Sequence, residues 1–179
     1  MDETIIYRKV KTTEIEFYHQ LRLDCLKNYP QNFGTLYSEE LVTTNYKFDK
    51  IINQELTNDF LMGAFKNEKL VGICGFIQAK RLKTKHIGEI SGMFVSREFS
   101  GQKIGTGLLN STIQIAFDNL EIEQIILTVA DKNLSAKNLY KKFNFTEYGK
   151  LPNYFKYDGE YETQVLMTLT KNEIKTTNH

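Results

Sequence analysis

A glycine-rich loop between a strand pattern and a helix pattern constrains this sequence more than any other feature. Gly101-Gln102-Lys103-Ile104-Gly105-Thr106-Gly107 follows the strand pattern of residues 86–95 and opens an amphipathic helix. A helix N-terminus presents free backbone N–H groups and the positive end of the helix dipole, and glycines let an anion approach the backbone closely. The loop therefore predicts a phosphate or pyrophosphate site, with an ordinary tight strand-to-helix connection as the alternative.

The glycine spacing does not fit the two common phosphate-binding motifs. A P-loop requires GxxxxGK[ST], and neither Gly105 nor Gly107 is followed by Lys and then Ser or Thr. A dinucleotide fingerprint requires GxGxxG, whereas the glycines here follow the pattern GxxxGxG. A nucleotide-binding α/β protein is therefore a poor interpretation, although it stays open to a direct comparison of ATP with coenzyme A.

Strand and helix patterns alternate in the middle of the chain, and hairpins lie at both ends. Helical spacing is expected within residues 12–27, 38–53, 104–120 and 136–143. Strand patterns are expected within 5–10, 60–65, 70–78, 86–95, 125–129, 145–148 or as far as 157, and 161–169. Gly88 and Gly92 lie inside a strand pattern, which favours a bulge or a close backbone approach. Asp158-Gly159 is a strong hairpin signal. We therefore predict an α/β fold, a mixed central sheet with helices on both faces.

Composition limits the classes of protein to which the chain can belong. A length of 179 residues predicts one domain over residues 1–170, followed by a flexible C-terminal tail at 171–179. Lys and Arg number 23 against 22 for Asp and Glu, so the net charge of +1 gives no electrostatic case for nucleic acid or a membrane surface. The absence of a long apolar run and of a secretory signal predicts a cytoplasmic protein.

The cysteines and histidines carry no metal-binding pattern. Cys25 and Cys74 have no CxxC spacing and lie in apolar patterns, so we expect two reduced core thiols. His19, His86 and His179 are far apart, and we expect no metal.

Four segments, in order along the chain, resemble the GNAT (GCN5-related N-acetyltransferase) family. Gln102–Gly107 matches the family's Q/R-x-x-G-x-G/A loop, and 90–95 looks like its bulged strand. Asn133–Tyr140 is similar to its N-x-x-A-x-x-x-Y helix, and Phe143-Asn144-Phe145 to its L-G-F ending. The resemblance covers nearly the whole chain and implies the acyl-CoA N-acyltransferase fold, whose mixed central sheet is mostly antiparallel.

The resemblance implies acetyl-CoA as the co-substrate. In the family, the pyrophosphate lies on the amides of the glycine loop, and the pantetheine runs like an extra strand along the bulged strand. The residues carried over to cofactor binding are Met93, Phe94, Val95, Gln102, Lys103, Ile104, Gly105, Thr106, Gly107 and Asn133. Asn133 is also a good N-cap for the helix that follows it. Many members have Arg where this chain has Ser100, a loss for which Lys103 could compensate unless it is only a surface lysine.

Two residues are candidates for catalysis by direct transfer. The resemblance makes Tyr140 the general acid that protonates the departing thiolate, and its alternative is a core tyrosine. Glu89 lies in an apolar, glycine-rich strand, where partial burial would raise its pKa and suit it to act as general base, directly or through water. Its alternative is a half-exposed strand glutamate. The family stabilises the developing oxyanion with backbone N–H groups around Phe94 and Val95.

The acceptor is expected to be a primary amine of a small molecule or a peptide. The walls of its site would be residues 29–40 and 151–162, whose aromatic and acidic residues would suit a cationic amine. The alternative is ordinary loop and hairpin packing, since Asp158-Gly159 is already explained by turn chemistry. Those residues are Phe33, Tyr37, Glu39, Glu40, Tyr154, Phe155, Tyr157, Asp158, Glu160 and Tyr161. The alternative function is a non-catalytic acyl-CoA-binding module that acts as a sensor or regulates a partner. Assembly as a homodimer is expected only by analogy with the family.

Overall fold

The fold is built on one seven-stranded sheet with the strand order β1-β2-β3-β4-β5-β7-β6. The structure is a computed structural model and describes residues 4–53 and 58–175. The strands are β1 Ile6–Lys9, β2 Phe60–Lys66, β3 Lys69–Gln78, β4 Ile87–Val95, β5 Gln124–Ala130, β6 Thr146–Tyr157 and β7 Glu160–Thr170. The helices are α1 Ile15–Asn28, α2 Tyr37–Val42, α3 Asp49–Asn53, α4 Ile104–Asn119, α5 Leu134–Lys142 and α6 Lys171–Lys175.

The sheet is mixed and mostly antiparallel, as predicted, because only β4 and β5 pair in parallel among the described strands. The parallel pair requires a crossover, which α4 provides on one face of the sheet. None of the described helices combines the length and the apolar character needed to cross a membrane.

Alternating residues of the central strands supply two cores, one on each face. Met62 and Ala64 of β2 pack in the core that contains α4, whereas Leu61 and Phe65 pack with α1. This alternation follows from the two-residue period of a strand, and it explains why the central strands are almost continuously apolar. Helices on both faces then cover the sheet, in agreement with the sequence pattern.

Two segments differ from the expectations drawn from the sequence. The single helix expected within residues 38–53 is instead two short helices, α2 and α3, because Thr43 adopts extended backbone and ends α2. Lys171–Lys175, expected within the tail, form helix α6. A Thr-x-x-Glu signal explains this helix, since the Glu173 carboxylate accepts hydrogen bonds from the Thr170 backbone N–H and hydroxyl. Residues 176–179 of the expected tail lie outside the described residues.

A bulge in β4 accompanies the opening of the sheet. Ile73 of β3 pairs with Phe94, but Gly75 pairs with Ser91, so β4 carries an extra residue in this interval. Gly92 lies there with φ of +64°, a conformation that glycine adopts without strain. The bulge expected from the interior glycines is therefore present.

The parallel ladder between β4 and β5 covers only four residue pairs. It runs from Ile87 with Gln124 to Ile90 with Leu127 and then stops. Beyond that point β5 continues along β7 as far as Ala130, while β4 continues along β3 as far as Val95. The two strands therefore diverge and leave a gap, which is the feature that positions the site.

Replacement of Gly92 by Ala should destabilise the fold. A Cβ at this position would lie 2.8 Å from Cε2 of Phe48, and the backbone has positive φ. We expect a loss of about 2 kcal/mol, seen as a melting temperature lower by roughly 4–8 °C.

Gly149→Ala is the matched control for the thermal melts. Gly149 is a strand glycine without positive φ, and a Cβ there would lie 3.3 Å from the flexible Cδ1 of Leu166. Equal melting temperatures for the two variants would contradict the account of the bulge.

Candidate functional site

A cavity of about 560 Å³ lies between the end of β4, the loop before α4 and helix α5. It is lined by eight of the cofactor-binding residues expected from the sequence: Met93, Phe94, Val95, Lys103, Ile104, Gly105, Thr106 and Asn133. Gln102 is exposed and does not line it. The loop, the bulged strand and the Asn-to-Tyr helix are thus brought together around one space.

Gly107 has a packing role that the motif alone did not reveal. It does not line the cavity, and a Cβ there would lie 2.1 Å from Cζ of Tyr7. Glycine is therefore required at this position so that α4 can approach the aromatic ring next to it.

The N-terminus of α4 can hold an anion. The first helical hydrogen bond runs from the Gly107 N–H to the Lys103 carbonyl at 3.2 Å, and no side chain of the described residues caps the helix. The amides of Ile104, Gly105 and Thr106 are therefore left to external acceptors at the positive end of a 16-residue helix. Lys103 has positive φ at the N-cap, and its exposed side chain adds charge nearby.

The edge of β4 that borders the gap offers backbone groups to a ligand. The Phe94 carbonyl lies against Gly72 of β3, and the Ser96 N–H donates to the Val71 carbonyl at 2.9 Å. Because backbone groups alternate along a strand, those of Val95 point to the opposite edge, toward the gap. An extended ligand that carries amides could bind there as an additional strand would.

Tyr140 lies where this cavity meets a second one. Its side chain is 6% exposed and lines both spaces. The hydroxyl donates to Sδ of Met93 at 3.8 Å, and the ring packs edge-on against Phe145 with centroids 5.7 Å apart. A thioether is a weak acceptor, so the hydroxyl can turn to a stronger one. Burial raises the pKa of Tyr140 above its ordinary value, so the phenol stays protonated at neutral pH.

Asn133 has the capping role that the sequence predicted. Its Oδ1 accepts a hydrogen bond from the Ala136 N–H at 3.2 Å, which fixes the start of α5. Asn133 also lines both cavities.

The second cavity has a volume of about 380 Å³ and lies in the gap on the other side of Tyr140. Phe33 and Gly34, after α1, and Tyr154 and Phe155 of β6 form part of its wall. Gly34 allows the ring of Phe155 to pack against the backbone, because a Cβ there would lie 2.9 Å from Cζ of Phe155. The residues common to both cavities are Asn32, Phe33, Met93, Asn133, Ala136 and Tyr140, so the two spaces adjoin.

Glu89 lines the second cavity, but its environment differs from the one expected. The carboxylate is exposed rather than partly buried, so the burial argument for its role as a base does not apply. Its electrostatic neighbour is Lys47, whose Nζ donates to Oγ of Ser91 at 2.5 Å. Desolvation of its amine lowers the pKa of Lys47, and the negative charge of Glu89 offsets part of that shift. The rest of the Lys47 side chain is exposed.

The acidic residues expected at the acceptor walls do not line the second cavity. Glu39 accepts a hydrogen bond from the Leu36 N–H at 2.9 Å, and the buried Glu40 accepts one from Nε of Arg22 at 2.9 Å. Asp158 and Glu160 are at the tip of the final hairpin, outside the lining. The acidic side chains are thus engaged in capping, in a buried ion pair and in a turn.

Sequence reasoning missed Lys47 and Gln164, which both line the second cavity. Lys47 lies in residues 38–53, within which the sequence predicts a helix, and Gln164 lies inside a strand pattern. Only the pairing of β7 beside β5 places Gln164 at the gap, so no local signal could have found it.

Neither cysteine is suited to act as a nucleophile. Cys25 and Cys74 are buried, and burial raises the pKa of each thiol to about 12. Within residues 4–53 and 58–175, no three His, Cys, Asp or Glu side chains are grouped so that they could hold a metal ion.

Comparison with known proteins gives a family match over most of the chain. The model of the acetyltransferase (GNAT) family matches residues 16–145. An N-alpha-acetyltransferase of Sulfolobus acidocaldarius is 37% identical over 73 residues, which cover 41% of this chain and 43% of that protein. The chain spans about half the length of the curated relatives that it matches.

Solved structures share the fold. A GNAT-family acetyltransferase from Streptococcus pneumoniae has a TM-score of 0.79 at 20% identity, over 93% of this chain and 99% of that one. A Salmonella typhimurium structure with its cofactor acetyl-CoA has a TM-score of 0.81 at 14% identity, over 93% of this chain and 94% of that one.

The buried phenol of Tyr140 should make the folded state less stable in alkali. Its folded pKa is raised, so its contribution is complete below the unfolded value of about 10 and is lost as pH rises toward the folded value. Between about pH 9 and 11, wild type should lose more stability than Tyr140→Phe, with a difference of at most about 1.4 kcal/mol per pH unit. Urea unfolding at several pH values measures this, and parallel curves for the two proteins would contradict it.

Proposed function

The chain belongs to the GNAT acetyltransferase family, and on that basis we propose that it is an acetyl-CoA-dependent N-acetyltransferase that transfers the acetyl group directly to a primary amine. The observation that carries the proposal is the gap between β4 and β5. The first cavity, at one end of the gap, borders the free amides of α4, and Tyr140 lies between this cavity and the second one. A donor and an acceptor could therefore meet at one phenol from opposite sides.

The residues of the first cavity fit acetyl-CoA. The amides of Ile104, Gly105 and Thr106 would hold the pyrophosphate, and Lys103 would add a positive charge in place of the Arg that many members carry at Ser100. The edge of β4 at Val95 would pair with the amides of the pantetheine arm. When bound, acetyl-CoA supplies the acetyl thioester, and every other function belongs to side chains and amides of the chain.

Tyr140 is the proposed general acid. It holds its proton on Oη at neutral pH and can deliver it to the sulfur that departs. A phenol with a raised pKa is a weak acid, but a thiolate released in the same buried space is correspondingly basic. Cys74 illustrates this effect, since burial raises the pKa of its thiol to about 12.

Backbone and carboxylate groups supply the remaining roles. The N–H of Val95 points toward the gap and is the proposed donor to the developing oxyanion, whereas Phe94 is engaged with β3.

Glu89 is the proposed base at the open mouth of the second cavity, where it would pass a proton from the acceptor ammonium to water. A pH–rate profile of Glu89→Gln that matches the wild type would remove Glu89 from this role.

The acceptor is proposed to be an amine of a small molecule or of a peptide. The name of the Sulfolobus acidocaldarius relative supports the α-amine of a protein N-terminus as the first candidate. A non-catalytic acyl-CoA-binding module is the alternative, and retention of both Tyr140 and Glu89 at the cavities favours an enzyme.

A panel of amines tests the proposed function. Acetyl-CoA is mixed with the protein and with peptides carrying free α-amines, a lysine side-chain peptide, spermidine or an aminoglycoside, and free thiol is measured. We expect thiol release that depends on at least one amine. Binding of acetyl-CoA in a thermal-shift assay without release for any amine would favour the non-catalytic alternative.

Tyr140→Phe should separate catalysis from donor binding. Loss of the acidic proton should lower kcat by about 10²-fold or more while the Kd for acetyl-CoA stays unchanged. Tyr148→Phe, which removes the hydroxyl of an exposed tyrosine on β6, is the control and should keep the wild-type rate. A Tyr140→Phe variant with normal kcat near neutral pH would exclude the role.

A further inference from the structure

Gln164 is a buried polar residue whose amide nitrogen lacks a partner. The residue is 3% exposed, yet it lines the second cavity. Its Nε2 is the sole buried side-chain nitrogen or oxygen without a hydrogen bond in the part of the chain that the structure describes. Because an unbonded amide costs free energy when it is buried, this nitrogen requires an explanation.

Gln164 lies on the face of the sheet opposite to α4, at the end of the β5–β7 ladder. Val165 and Met167, one and three positions later on β7, belong to the core that contains α4. Side chains alternate along a strand, so Gln164 faces the opposite side of the sheet. It pairs with Ala130 of β5, where the ladder of β5 with β7 ends. Ala130 also lines the cavity and has a small side chain, so it leaves room beside the amide.

Other buried polar groups near this cavity are paired. The Glu162 carboxylate, two positions earlier on β7, accepts a hydrogen bond from the Lys132 N–H at 3.1 Å. Arg22, which also lines the cavity, donates to Glu40 at 2.9 Å. Among these groups, only the Gln164 amide nitrogen lacks a hydrogen-bond partner, and Gln164 lines the cavity.

The second cavity presents hydrogen-bond donors in addition to the carboxylate of Glu89. Lys47 and Gln164 both line this cavity and carry an ammonium group and an amide nitrogen. A polyamine offers only more ammonium groups, which have donors and no acceptor to match Gln164. A carbonyl oxygen carried by the acceptor molecule would match it.

We propose that Gln164 determines acceptor specificity by donating a hydrogen bond from Nε2 to a carbonyl oxygen of the acceptor. The preferred acceptors would be α-amino carbonyl compounds, in which the carbonyl is attached to the carbon that bears the amine, as at a peptide N-terminus. Simple alkylamines and polyamines would be poor acceptors. This inference rests on the proposed function and adds to it the residue that selects the class of amine.

The test compares two matched acceptors with two proteins. Wild type and Gln164→Leu are assayed with the peptide Ala-Ala-Ala and with isopropylamine, which lacks the carbonyl. We expect Gln164→Leu to lower kcat/KM for the peptide by about tenfold or more, mainly through KM, and to leave isopropylamine unchanged. Because each acceptor is compared with itself between proteins, the different basicities of the two amines cancel.

Two further variants control the experiment. Gln164→Glu keeps the shape but replaces the donor with a carboxylate, so it should also lose the peptide preference. Gln124→Leu alters a strand glutamine whose Nε2 donates to Oγ1 of Thr168 at 2.9 Å, outside the cavity, and should keep the wild-type ratio. The Kd for acetyl-CoA should be the same in wild type and Gln164→Leu, and the melting temperature of Gln164→Leu should not fall.

The outcomes are distinguishable. An equal loss for both acceptors, or no loss for either, would overturn the inference about Gln164 and leave the proposed function standing. A wild type that acetylates isopropylamine or spermidine as well as the peptide or better would do the same. A wild type that binds acetyl-CoA and acetylates no amine would overturn the proposed function and this inference with it.

Discussion

The site depends on the point at which the hydrogen-bond ladder between β4 and β5 ends. After Ile90 and Leu127 the two strands separate, and the bulge at Gly92 lies just beyond this point. A sheet edge in the interior of a protein would leave backbone groups without partners, which is costly unless something binds there. The two cavities, the free amides of α4 and the phenol of Tyr140 are all arranged around this interruption.

The arrangement separates two chemical environments on either side of one buried side chain. On one side the first turn of α4 and Lys103 favour negative charge. On the other side, the cavity has aromatic walls, one open carboxylate at Glu89 and the donors of Lys47 and Gln164. Tyr140 is neutral and bonded only weakly to Met93. Its proton is therefore available to a group that enters from either direction.

The features that the sequence predicted are the ones encoded locally. The glycine loop before α4, the bulge at Gly92 and the cap at Asn133 each depend on a backbone conformation or hydrogen bond within a few residues. The predicted roles of Tyr140 and Glu89 came from the resemblance and from strand context, and they remain proposals. The alternation of strand and helix patterns predicted a mixed sheet covered by helices, and the resemblance added that the sheet is mostly antiparallel.

The features that were missed depend on contacts between distant segments. Gly107 reads as part of a phosphate loop, but its contact with Tyr7, far earlier in the chain, explains it. Glu40 was expected at the acceptor wall, but it pairs with Arg22 of α1. Gln164 reads as one more strand residue until β7 is known to lie beside β5. Such pairings follow from the sheet order, which sequence periodicity does not specify.

The short parallel ladder also divides the sheet into a four-stranded and a three-stranded block. Only four residue pairs join the blocks within the sheet, so a molecule that fills the gap would contact both of them. Binding to the native state alone stabilises it by mass action, in proportion to the logarithm of ligand concentration well above Kd. An occupant of the gap would then also protect the chain against proteolysis, because it lowers the population of molecules open to cleavage.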